Sequence, residues 1–149
     1  AHTYRTALLA YFMAKAENAD ACKVLRMALI RQLPDVRLLN QTFIQQKYYS
    51  VKDKLLDAFK DQLRSLIETA AELKDDFEEI QKNETKEAWI VNDAYTLENL
   101  IEAKELMQKG DQIMHRWFDK EKREALKTEI AKRLYDLLEQ ETIYWWMNE

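Results

Sequence analysis

Apolar residues recur along this chain at intervals of three and four, the spacing that lays one hydrophobic stripe along a helix. Tyr4, Leu8, Phe12 and Ala16, with Tyr11 beside them, predict a first helix from Thr3 to about Glu17. Asn18 or Asp20 can cap a second helix running to Leu33, with Cys22, Leu25, Leu29 and Leu33 as its stripe. Pro34-Asp35 suits the first turn of a third, less regular helix through Leu38, Leu39, Phe43 and Ile44, ending near Tyr48-Tyr49.

The most regular pattern follows. Ser50 and Asp53 resemble a capping box, and Leu55, Phe59, Leu63, Leu66, Ala70, Leu73, Phe77 and Ile80 advance by close to the heptad value. Unbroken from Val51 to Ile80, such a helix would be about 45 Å long. Asn83 or Thr85 can start the next, which carries Trp89, Val91, Tyr95, Leu100, Ile101 and Met107, with a break near Asn92-Asp93 as one reading. Gly110 fits a left-handed helix end before Asp111. A last helix holds Ile113, Trp117, Leu126, Ile130, Leu134, Leu137 and Leu138, interrupted by the charged interval Asp119 to Glu124.

The pattern therefore predicts an all-α helical bundle of about five to six helices, with long antiparallel amphipathic helices. Composition sharpens this. One Gly and one Pro in 149 residues leave little material for hairpins or Gly-rich phosphate loops. The length suits a single helical domain, 1–149, with a division into 1–82 and 83–149 as the alternative. No apolar run is long enough for a transmembrane helix. Twenty-three basic residues interspersed with 27 acidic ones give a net charge of −4, which removes the main electrostatic argument for nucleic acid. The lone Cys22 favours a reducing intracellular compartment, with the cytoplasm as the default.

Candidate chemistry is sparse. No Walker loop, nucleophile elbow or Cys-x-x-Cys occurs. His115 shares a helical face with Asp111, but a metal site needs more ligands, and His2 is read as terminal. Acidic pairs spaced by three raise the all-α Mg²⁺-dependent nucleoside triphosphate pyrophosphatases. Glu84/Glu87 and Glu102/Glu105 resemble their paired signature, although such pairs recur here at about the frequency chance supplies. Catalytic, cofactor and metal residues are therefore expected to be absent. The C-terminal run Ile143-Tyr144-Trp145-Trp146-Met147 cannot bury every ring in one core, because successive residues on a helix point about 100° apart. Tyr144, Trp145 and Trp146 are thus candidate partner-docking residues.

Tyr4-Arg5-x-x-Leu8-Leu9, followed by Arg26 and Arg31 on the second helix, resembles the opening of the LYR-motif family of mitochondrial accessory and assembly proteins. The resemblance covers residues 3–66, departing at Thr3 and Leu33. It implies a mitochondrial matrix protein that docks other protein subunits, with an acyl carrier protein as a further partner and Tyr4, Arg5, Arg26 and Arg31 facing it. The function expected from the sequence is thus a non-catalytic protein–protein interaction protein, a subunit or accessory factor of a larger assembly. A soluble inhibitor or immunity-type binder and the Mg²⁺-dependent pyrophosphatase are the alternatives.

Overall fold

The structure, a computed structural model, describes residues 1–39, 43–65 and 70–142. Among these residues it is all α-helical, without a strand. The first helix, α1 (His2–Ala16), turns through Asn18, whose φ of 53° lies in the left-handed region that Asn tolerates. Asp20 then caps α2 (Ala21–Ile30), its carboxylate accepting from the Cys22 and Lys23 amides. A hydrogen bond from Thr3 to Gln32 ties the start of α1 to the end of α2, so the two run antiparallel. Short helices α3 (Asp35–Leu38) and α4 (Phe43–Gln46) lead to α5 (Leu55–Gln62).

The single long rod expected from Val51 to Ile80 does not form. A 3₁₀ turn at Leu63–Ser65 ends α5, and α6 (Ala70–Lys82) is a separate element. Each piece is shorter than the heptad pattern suggests, because Phe59 and Phe77 stack on each other at 4.4 Å rather than lying along one continuous seam. Thr85 caps α7 (Lys86–Gln108), which runs through Asn92-Asp93 without a break. Gly110, at φ 104°, ends it as expected. The charged interval becomes α8 (Lys120–Ala125), and Thr128 caps α9 (Glu129–Gln140). These interruptions raise the helix number above five to six. α9 also runs parallel to α7, since Thr128 meets Asp93 while Lys104 reaches the Glu139 carbonyl.

The buried faces differ from the apolar stripes. On α1 the core takes Ala7, Ala10, Met13 and Ala14, while Tyr4 and Phe12 are 69% and 61% exposed. On α2 it takes Val24, Met27, Ala28 and Ile30, while Leu29, and Leu33 beyond the helix end, face outward. Small side chains let α1, α2 and α7 approach closely, and that contact outweighs burial of the larger residues. α7 is the central element: Ala88, Ile90, Val91, Ala94, Leu97, Leu100 and Ala103 bury it on several sides. None of the described helices is long and apolar enough to cross a membrane.

Candidate functional site

Two carboxylates are buried on α7, and a buried acid demands a partner. Asp93 has a structural answer: it accepts from the Lys127 and Thr128 amides and from the Thr128 hydroxyl at 2.8 Å, anchoring the start of α9. Burial pushes its pKa up, and these hydrogen bonds offset part of the rise. Glu98 is different. Its side chain is fully buried, and it points at the first turn of α1, where Arg5 Nε donates to Oε1 at 2.6 Å. The Arg5 Nη1 also reaches Glu105 at 2.9 Å, so one guanidinium bridges two carboxylates of α7.

The second Glu98 oxygen lies against His2 Nδ1. Neither atom has any other hydrogen-bond partner. Glu102, one turn further along α7 and exposed, completes a group whose ligand atoms all lie within 4.8 Å of one another: His2, Glu98 and Glu102. Burial lowers the His2 pKa most; Arg5 and Arg31 reinforce the shift against the opposing Glu102. Burial thus favours the neutral imidazole, the form that can ligate a cation.

Tyr95 forms one wall. The His2 ring meets it edge-on at 5.2 Å, and the Arg31 guanidinium lies over it at 3.6 Å from the ring centre. Arg31 Nε donates to the Asn92 side chain, whose amide in turn donates to the Ile80 carbonyl and to Asn83. Of the arginines singled out in the sequence, Arg5 and Arg31 thus meet at this site from α1 and from the end of α2. Arg26 instead forms a bidentate pair with the buried Asp76 of α6 and a second contact to Glu72. Tyr4 points to solvent.

The paired-acid signature is not assembled. Glu84 precedes α7 and Glu87 lies in its first turn, while Glu102 and Glu105 lie about four turns on, and only Glu102 joins the cluster. Glu87 instead receives the Asp20 amide. His115 falls in the 3₁₀ segment Gln112–Trp117, with its side chain outside those described. Tyr144, Trp145 and Trp146 lie outside the described residues. The residues that sequence reasoning missed are His2, read there as terminal, and Glu98, which has no acidic partner at three. Its one local signal was an acid between Leu97 and Leu100 on an otherwise apolar face.

Comparison with known proteins places this cluster in context. No curated protein matches the chain. Among solved structures, a conserved hypothetical protein from Pyrococcus furiosus matches with a TM-score of 0.72 and 27% identity, over 93% of this chain and 78% of that one. A family model, the HD domain, matches residues 1–134. That match overturns the LYR-motif resemblance, which leaves the matrix location and the acyl-carrier partner it implied without support. A six-residue pattern on α1 carried the resemblance, and the arginines it assigned to a partner turn inward onto α6 and α7. The expectation of a non-catalytic interaction protein falls too, because HD domains are typically metal-dependent phosphohydrolases. From α1 to the middle of α9, this chain belongs to the HD-domain family.

Proposed function

We propose that this protein is a divalent-cation-dependent phosphohydrolase whose cation is held by His2, Glu98 and Glu102. The observation that carries the reading is the pair of otherwise unpartnered atoms, His2 Nδ1 and Glu98 Oε2, facing each other beside Glu102 in a family of metal-dependent hydrolases. One neutral imidazole and two carboxylates are a donor set that suits a single divalent ion such as Mn²⁺, Fe²⁺ or Zn²⁺. In one-letter code the family's name spells a histidine followed by an aspartate. Here His2 precedes Thr3 and His115 precedes Arg116, so the ligands come from α1 and α7 without that doublet.

When bound, a divalent cation supplies a Lewis acid for a phosphoryl oxygen and lowers the pKa of a coordinated water. The chain's own residues prepare the ground for this. Arg5 fixes the Glu98 carboxylate through Oε1 and leaves Oε2 directed at His2. Tyr95 holds the imidazole ring edge-on and covers one flank against water. Glu102 is the exposed member, so the cluster opens to solvent on its side, where a substrate can enter.

The test is phosphate release from a panel of phosphate esters by the purified chain with Mg²⁺, Mn²⁺, Co²⁺, Ni²⁺ and Zn²⁺ in turn. The expected outcome is turnover that needs one of these ions and is lost in both Glu98→Gln and Glu102→Gln. Absence of turnover with every ion, or turnover unaffected by both substitutions, would overturn the assignment.

A further inference from the structure

Arg31 is unlike the other arginines that cross between elements. Arg5, Arg26 and Arg123 each clasp a carboxylate. Among the described residues no carboxylate pairs with Arg31. Its Nε is satisfied by Asn92, Tyr95 meets it with both its ring face and a side-chain hydrogen bond, and Asp35 acts on it through the electrostatic field. Burial pulls its pKa below the usual arginine value, with Tyr95 and Asp35 offsetting part of that cost. It nonetheless stays charged, since guanidinium does not deprotonate in proteins.

A half-buried cation that no described carboxylate clasps leaves a demand for an anion. Its position says what meets that demand. Arg31 ends α2, where the helix dipole favours a cation, and it shares the Tyr95 ring with His2. The guanidinium is therefore a neighbour of the His2–Glu98–Glu102 cluster. Arg5, the other cation there, is already committed to Glu98 and Glu105.

We infer that Arg31 is the phosphate-positioning residue of this site, its planar fork binding the non-bridging oxygens of a phosphomonoester dianion. This rests on the phosphohydrolase reading for the ester's fate, though not for the binding itself. A guanidinium matches two phosphate oxygens at once, whereas an ammonium offers a point charge. Asn92, itself anchored to Ile80 and Asn83, sets the fork's direction through Nε, while the Tyr95 side chain takes up part of the guanidinium's remaining hydrogen bonding.

The experiment titrates inorganic phosphate into the full chain by calorimetry, with and without Mn²⁺, and measures Mn²⁺ binding separately by electron paramagnetic resonance. For Arg31→Gln the expected result is phosphate affinity at least about tenfold weaker with Mn²⁺ affinity unchanged, and for Arg31→Lys an intermediate loss. Dimethyl phosphate, a monoanion, should bind the wild type more weakly than inorganic phosphate does. Should Arg31→Gln fail to fold, phosphate protection of wild-type Arg31 from phenylglyoxal, read by mass spectrometry, replaces it. Equal phosphate binding by wild type and Arg31→Gln, no phosphate binding by the wild type, or no protection overturns the inference. Phosphate binding that depends on Arg31 in a chain that binds no Mn²⁺ would sink the hydrolase reading and leave this inference standing.

Discussion

Replacing Glu98 by Gln separates the two tasks assigned to this carboxylate, holding Arg5 and facing a cation. The amide keeps the side chain's shape in its fully buried setting and keeps an oxygen to accept from Arg5 Nε. What is lost is the charge assistance of that hydrogen bond, worth about 1–1.5 kcal/mol. Removing one member of a buried pair outright costs about 3–5 kcal/mol. Arg5 escapes that penalty because Glu105 still pairs with it at 2.9 Å. Without metal, Glu98→Gln should therefore lower Tm by only about 2–6 °C for a chain of this length.

The effect of metal should be far larger. A divalent ion at about 100 times its Kd adds about 2.7 kcal/mol to wild-type stability. Loss of one of two anionic ligands should weaken binding by more than about 100-fold, since even outer-shell changes cost 10–100-fold. Thermal unfolding of both proteins in EDTA and in Mn²⁺ gives all four values. The expected pattern is a small difference in EDTA and a large one in Mn²⁺. Equal Mn²⁺-induced gains would refute the metal assignment, and a loss above about 3 kcal/mol in EDTA would show that Glu105 does not support Arg5.

Because the folded His2 pKa lies below its unfolded value, the half-buried neutral ring stabilises the fold above pH 6.5, and that contribution falls away as pH drops through the folded value. Mn²⁺ affinity should decline with falling pH in the same window, and His2→Gln should flatten the decline; an unchanged pH profile would count against His2 as a ligand. Arg26→Met should cost about 3 kcal/mol by urea denaturation, because it strands the buried Asp76, while leaving Mn²⁺ binding intact. Phe59→Ala, which empties the stacked position against Phe77, should cost about 3–5 kcal/mol with no change in phosphate affinity.

Helical class and the Gly110 terminus were legible in the sequence, and the caps Asp20 and Thr85 each came from a pair of neighbouring candidates, because all of these depend on residues within one turn of one another. Buried faces were harder to read. Tyr4, Leu8 and Phe12 form the larger stripe on α1, yet the core prefers Ala7, Ala10 and Ala14, a preference set by how near α2 and α7 lie. The rod from Val51 to Ile80 was misread for a related reason: a heptad rhythm records which residues want cover without recording that two phenylalanines satisfy each other across a bend. The site was the least visible. His2 and Glu98 are separated by almost a hundred positions, so no local spacing joins them, and among 27 acids a single glutamate gives no warning that its side chain is sealed from water.

One consequence of α7 concerns parts of the molecule that do not touch the cluster. Asp93 and Glu98 lie little more than a turn apart on the same rigid rod, the first gripping the start of α9 and the second facing α1. Asn92 beside them steers Arg31. A change that shifts this rod, such as Thr128→Val loosening the hold of α9 on Asp93, would carry Glu98 and Asn92 with it. Tuning of the chemistry from the opposite flank is thus built into the axle on which both ends turn.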